Sequence, residues 1–526
     1  MHWAYELAMK TIERNPNKKE YVCASGISPS GSVHIGNYRE FVTTYFVAKA
    51  LKSLGKNVRM LFSWDDFDRL RKLPKNIGGL DESMIGKPYS FVPDPNGKFN
   101  SYAEYFEKEF ESALKDLHMN EVKVDFIYQT KEYMSGRYSK QIIQALKKRK
   151  EIYDILMQFK TQEATDEDRE NYYPINIYCD CCNKDTTKIN SISKDCKTVT
   201  YTCACGNTKT INIEDYTKIK LVWKVDWPMR WMMEGVDFEP GGIDHSAAGG
   251  SYEVSTVIAD KIFNIKAPLY QGYGWLGIRG LGDMHSSSGN NITPGALLNI
   301  YEPEIIRWLF AKYYPTNAFD FDFGETIIRH YSEFDKAKLA YINGEIDEKD
   351  KAVFDLCLFD SKSSKFSKTP FGTLASIAPI SEFNPIFVKK LLNKVNVEFT
   401  EDSIDRLNKT KYWLENYMSE KLYKLRKVPN LEYMANMSER ELASTQRLYE
   451  YLNSAEEKTE SDIQQKLYQI INDPNLSKKE NVAIQKQYFK NFYNLLFGTD
   501  SGPRLYLFLA AVDKAQYIEL LKTQNN

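Results

Sequence analysis

The chain reads as an α/β protein with an all-α C-terminal region, and three observations carry that reading. Residues 1 to 65 alternate helix, apolar strand, Gly/Ser/Pro turn, long helix and apolar strand, the order of a βαβ unit on a parallel sheet. Cysteine is clustered, with Cys179, Cys181, Cys182, Cys203 and Cys205 close together, which marks a separate insertion. Beyond Tyr331 a helical pattern runs to the C-terminus, with turns at Pro379, Pro385, Pro429 and Pro474 and a break at Gly502 and Pro503.

The elements follow in order. Tyr21 to Ser25 and Asn57 to Ser63 are the two apolar strands, and Gly36 to Leu54 is the helix between them. Residues 70–100 carry the Pro/Gly stretches LPKNIGGL and GKPYSFVPDPNGK, an ordered excursion that covers a site at the sheet edge. Residues 101–160 are helical with one strand-like break, VKVDFIYQT, and residues 218–300 return to sheet character. A length of 526 residues with 42% hydrophobic content is enough for several cores and therefore several modules. Lys+Arg 70 against Asp+Glu 71 gives a net charge of −1, so a nucleic-acid partner would have to be held by local basic patches. The first twenty residues, MHWAYELAMKTIERNPNKKE, form a charged helical pattern without a signal-peptide core, and a cytoplasmic protein with no membrane partner is expected.

The turn GISPSGSVHIGN, Gly26 to Asn37, sits between strand and helix. Such a turn presents backbone N–H groups and the positive end of a helix at the carboxyl edge of a parallel sheet, where a nucleotide triphosphate lies. His34 is expected in the first helical turn, donating to a phosphate oxygen, while Gly36 leaves room for adenine and ribose. Pro29, Ser30, Gly31 and Asn37 complete the expected nucleotide surface; the plainer alternative is a Gly-rich turn with a histidine at a helix start. Further along, WKVDWPMRWMMEGVDFEPGGIDHSAAGGSYEVS, from Trp223 to Ser255, is too dense in Trp, Gly and charge for a core strand and reads as a pocket wall lined by Trp227, Asp244, His245 and Gly249. His245 also fits a buried histidine satisfied by Asp244. Cys179-x2-Cys182 with Cys203-x-Cys205 matches two knuckles of a tetrahedral zinc site, and four thiolates leave no open position, so a structural Zn²⁺ is expected. Cys181 and Cys196 are spare thiols that leave the ligand choice open.

The turn at Gly26 to Asn37 is similar to the HIGH signature of class I aminoacyl-tRNA synthetases, with Asn37 in its last position. GLGDMHSSSGNNITP, Gly280 to Pro294, is similar to their second signature, KMSKS, in the form KMSSSKGN. DWPMRW followed by DHSAAGGSY, the DDFD stretch at Asp65 to Asp68, and FYNLLFGTDSGPRLYLFLA near the C-terminus narrow the resemblance to class I lysyl-tRNA synthetases over nearly the whole chain. The resemblance implies ATP with Mg²⁺, L-lysine and tRNA(Lys) as substrates and partners of a monomer that forms a lysyl-adenylate. It implies that Gly26 and Ser28 face the amino acid, that Tyr273 closes over it, and that Met284, His285, Ser286, Ser287 and Gly289 close over the triphosphate held by His34 and Asn37. Aligned on Met284, Gly289 and Asn290, the two lysines of that signature fall on Asp283 and Ser288. The loop therefore lacks the usual positive charge, and Arg279, His285 and the nucleotide's Mg²⁺ are the candidates to replace it.

A lysine pocket must neutralise an ε-ammonium, because an unpaired desolvated cation costs several kcal/mol. Asp65 is the expected carboxylate, ahead of Asp66 and Asp68, although each of the three also fits a solvated helix N-cap. The expected domains are 1–100 and 218–300 as the halves of a Rossmann-type parallel-sheet catalytic domain, 101–217 as a zinc-containing insertion meeting the acceptor end, 301–395 as a helical connecting domain, and 396–526 as an all-α anticodon-binding cage. Two other readings stay open. One is a glutamyl- or arginyl-type class I synthetase, which DHSAAGGSY argues against. The other is a degenerate synthetase-like tRNA-binding protein, favoured only by the missing loop lysines.

Overall fold

Residues 1–74, 77–161, 165–279, 292–358, 367, 369–472 and 476–523 are described by the computed structural model, with backbone alone at 282–283. The chain divides into two compact units: Met1–Leu298 with Pro303–Phe321 and Ile346–Ser361, and Asn299–Glu302 with Asp322–Glu345 and Lys362–Asn526.

The first unit is built on a five-stranded sheet. Strands β1 (Tyr21–Ile27), β2 (Val58–Trp64) and β3 (Val124–Tyr128) are joined by Phe238–Gly242 and Leu269–Tyr273, in the order Leu269–Tyr273, Phe238–Gly242, β1, β2, β3. All pairs are parallel. Continuous apolar runs such as YVCASGI and VRMLFSW suit strands buried on both faces. The sequence order reverses between β1 and Phe238–Gly242, and a sheet of this kind opens a crevice at such a switch point, beyond the carboxyl ends of its strands. Gly26 is required there, since a Cβ would lie 3.0 Å from the Ser63 carbonyl oxygen on β2.

Helices α1 (Trp3–Arg14) and α2 (Ile35–Ser53) flank the sheet. Tyr38, Phe41, Tyr45 and Phe46 of α2 are all inaccessible to solvent, so α2 is a core helix and not an amphipathic one. The cysteine segment forms a three-stranded antiparallel sheet, Thr187–Ile192, Thr198–Cys203 and Thr208–Asn212. The stretch from Trp223, expected as a sheet-like wall, begins instead with a helix, Trp223–Glu234, that carries Pro228 near its start, where the lost N–H has little effect.

The second unit is helical throughout its described residues. Its helix starts are written in the sequence: Ser438 with Glu441, Thr459 with Asp462, and Ser477 with Glu480 each form a reciprocal capping box. Among the described residues no helix is long and apolar enough to cross a membrane. The buried guanidinium of Arg406 lies between two carboxylates, 2.7 and 3.1 Å from Glu302 and 2.7 and 3.0 Å from Asp335. Removing it leaves both largely buried acids without their guanidinium. Arg406→Ala is expected to lower the stability of the helical unit by about 3–5 kcal/mol, read as an earlier urea midpoint of its helical signal.

Candidate functional site

A cleft of about 750 Å³ opens at the carboxyl edge of the parallel sheet. Its floor is the turn after β1 and the start of α2, and Gly26, Ser28, Ser30, His34, Gly36 and Asn37 all line it. His34 is the N-cap of α2 and not a member of its first turn: the ring Nδ1 accepts the backbone N–H groups of Gly36 (3.1 Å) and Asn37 (3.3 Å). With Nδ1 accepting, the ring proton sits on Nε2, which makes that atom a hydrogen-bond donor. The Asn37 side-chain oxygen is buried without a hydrogen-bond partner among the described residues. An orphaned amide beside a helix N-terminus suits a ligand that brings its own polar atoms. Ser30 is held by its carbonyl, which accepts the Tyr102 hydroxyl at 2.8 Å. Pro29 and Gly31 are buried in the turn and do not line the cleft.

The acidic residues around the cleft differ in whether a cation already faces them. Asp65 lines it, but its Oδ1 accepts Arg230 Nη1 at 2.6 Å. Arg230 Nη2 reaches Asp226 at 2.8 Å, Asp226 lies 3.3 Å from Lys220 Nζ, and Lys220 lies 2.5 Å from Asp68. Asp68 also accepts the Ser28 hydroxyl at 3.2 Å. Asp66 is buried away from the cleft, accepting the Thr130 N–H at 2.8 Å. Glu40, one turn past Gly36 on α2, is different. Its Oε1 accepts the Gly26 N–H at 2.9 Å and its Oε2 accepts the Tyr273 hydroxyl at 2.8 Å, and among the described residues no cation pairs with it. Burial pushes its carboxyl up to about 8, against the opposing pull of those two hydrogen bonds. Reasoning from the sequence overlooked Glu40. The available signal was its position, three residues after Asn37, as the one acidic residue in the sequence of α2.

The wall opposite carries Trp223, Asp244, His245 and Tyr273. Trp227 stands one turn behind Trp223, stacked on it at 5.1 Å, with its indole N–H given to Glu239 at 3.0 Å. His245 lies 5.7 Å from the Trp227 ring and 4.0 Å from the exposed Asp244 carboxylate. Gly249 adopts φ +72° and its N–H is capped by Glu253, outside the cleft lining. Arg279 is exposed, its backbone N–H bonded to the Phe321 carbonyl, and is not among the lining residues. Met284, His285, Ser286, Ser287 and Gly289 lie outside the described residues.

The Sγ atoms of Cys179, Cys182, Cys203 and Cys205 all lie within 4.8 Å of one another. Cys179 and Cys205 are 3.8 Å apart and Cys182 and Cys203 3.6 Å, close to the edge of about 3.8 Å that a tetrahedron with metal–sulfur bonds of about 2.3 Å requires. Asn183 and Gly206, with φ +58° and +88°, supply the left-handed turns that fold each knuckle back. Cys181 is exposed and Cys196 is outside the cluster.

A crevice at the carboxyl edge of a parallel sheet, with a helix N-terminus on its floor and a buried carboxyl one turn further in, defines an α/β domain of the doubly wound class. The comparisons specify it further: residues 1–358 match the model of the tRNA synthetases class I (K), and the chain belongs to that family. It is 35% identical over 540 residues to a lysine–tRNA ligase of Thermococcus kodakarensis, covering 100% of both chains. It is 35% identical over 523 residues to one of Borreliella burgdorferi, covering 97% of both, and 33% identical to one of Streptomyces coelicolor, covering 99% of this chain and 97% of that one.

The cysteine cluster gives the first test of this region. The purified chain is expected to carry about one equivalent of a thiophilic metal, measured by elemental mass spectrometry, and Cys203→Ser to lose it.

Proposed function

We infer that this chain joins L-lysine to tRNA(Lys) through a lysyl-adenylate formed from ATP. The observation that carries the reading is Glu40, a buried carboxyl lining the cleft one turn inside a helix N-terminus, with no counter-cation among the described residues. The full-length similarity to lysine–tRNA ligases supports the same substrate.

The lysine ε-ammonium pairs with Glu40, and the Tyr273 hydroxyl and Gly26 N–H hold that carboxyl in place. A glutamate side chain at this position would meet a like charge, which disfavours a glutamyl-type enzyme. Trp223 and His245 form the adjacent wall, so the α-carboxylate is directed toward the helix start. There the Nε2–H of His34, the Asn37 amide and the N-terminus of α2 receive the phosphates. The reaction is an in-line displacement: a lysine carboxylate oxygen attacks the α-phosphorus and pyrophosphate leaves, after which the terminal ribose hydroxyl of tRNA takes the lysyl group. The residues supply position and charge, with no covalent nucleophile among them. Mg²⁺ carried by ATP would neutralise part of the triphosphate charge. A Zn²⁺ held by Cys179, Cys182, Cys203 and Cys205 would brace the insertion, since four thiolates leave it no position for substrate. In the helical unit Arg440, Arg447 and Lys466 line a cleft of about 590 Å³ beside Tyr488, a surface suited to RNA phosphates.

The decisive measurement is ATP–pyrophosphate exchange with and without tRNA(Lys), against a panel of amino acids. Exchange with lysine is expected; none with any amino acid, while tRNA still binds, would make this a synthetase-derived binding protein. The pH dependence tests Glu40. Lysine binds the ionised carboxylate, so below the carboxyl's value near 8 binding must release a proton. The KM for lysine should fall about tenfold per pH unit as pH rises from about 6 to about 8 and then level off. Glu40→Gln should abolish this slope and raise the KM about 100-fold or more.

A further inference from the structure

The charge missing from the second signature has to be supplied somewhere if the cleft holds a triphosphate. The segment leaving β2 lies along the cleft, and its backbone is fastened at both ends. Asp65 N–H donates to the Ile27 carbonyl at 3.0 Å, Leu70 N–H to Lys87 at 2.8 Å, Gly86 N–H to Leu70 at 2.9 Å and Tyr89 N–H to Asp68 at 2.9 Å. Three cations, Arg69 within the fastened stretch and Arg71 and Lys72 directly after it, line the cleft. Arg69 is engaged by Asp185 at 3.1 Å. Arg71 and Lys72 are exposed and form no hydrogen bond or ion pair among the described residues. The nearest cleft carboxylate on the same segment, Asp68, is already matched by Lys220, and Asp185, which also feels the Arg71 charge, is paired with Arg69. The Arg71 charge reaches Tyr89, which hydrogen-bonds Ser30 of the signature turn, and all three residues line the cleft.

We propose that Arg71 and Lys72 bind the β- and γ-phosphates of ATP and replace the two lysines absent at positions 283 and 288. The assignment rests on the reading of the cleft as an ATP site. As the lysine carboxylate oxygen forms its bond to the α-phosphorus, the bond from that phosphorus to the bridging oxygen breaks and pyrophosphate leaves with the electron pair. Cations fixed beside the leaving group stabilise the charge it acquires. A guanidinium also matches phosphate in a bidentate geometry, while the lysine acts as a point charge.

Calorimetric binding of MgATP and of AMP to the full chain separates the terminal phosphates from the rest of the nucleotide. The double variant Arg71→Ala/Lys72→Ala is expected to bind MgATP about 10- to 100-fold more weakly and AMP as before. The charge-retaining pair Arg71→Lys/Lys72→Arg should keep most of the MgATP affinity. Unchanged MgATP binding, or an equal loss for both nucleotides, overturns the proposal; a loss confined to tRNA in filter binding would assign these cations to acceptor-end phosphates instead. The underlying reading fails separately. An unmodified chain that binds MgATP but exchanges pyrophosphate with no amino acid removes the ligase activity and leaves the phosphate assignment standing, whereas one that binds no MgATP removes both.

Discussion

Four buried charged side chains, Asp65, Arg230, Asp226 and Lys220, and the half-buried Asp68 follow one another at ion-pair distance along the cleft wall. None would be stable alone in that environment, where an isolated charge costs several kcal/mol. Each is tolerated because its neighbours are present, and Tyr133 adds a hydroxyl donated to Asp226. The chain of pairs ties together the end of β2, the helix Trp223–Glu234 and the strand Ile219–Leu221, and through Ser28 it reaches the turn after β1. The walls of the cleft are thus fixed by electrostatics as well as by packing.

That arrangement also decides which acid can serve a ligand. Three carboxylates against two cations look like a surplus of negative charge, yet the two acids nearest the cleft are the paired ones. Glu40 receives only neutral donors and is held largely protonated by burial. On the reading proposed above an arriving ammonium pairs with Glu40, and selectivity for a cationic side chain follows from a buried cleft carboxyl that receives only neutral donors among the described residues.

The parts of the fold set by local pattern were legible in the sequence: the strand–turn–helix at Gly26 to Asn37, the cysteine spacing and the S-x-x-E helix starts. What could not be read depends on partners far along the chain. Asp65 seemed the natural ammonium acceptor because the residue that neutralises it, Arg230, lies on an element with no sequence link to it. The density of Trp, Gly and charge places Trp227 in a pocket wall; in the helix that forms there the half-buried Trp223, one turn earlier, reaches the cleft and Trp227 gives its N–H to Glu239. His34 was assigned to the first turn, whereas its ring folds back as a cap, a difference of one residue that fixes which nitrogen carries the proton.

The thiolate knuckles and the cleft are joined by a short structural path. Asp185, just past Cys182, gives its N–H to the Gly86 carbonyl at 2.9 Å, and its carboxylate holds Arg69. Gly86 in turn donates to Leu70, in the segment that carries Arg71 and Lys72. The anchor of a cleft wall is therefore a loop whose own shape depends on four sulfurs meeting at a point. Any change in how the four sulfurs meet is passed to the cleft wall along Asp185, Gly86 and Leu70, as a pin passes play to the hinge it holds.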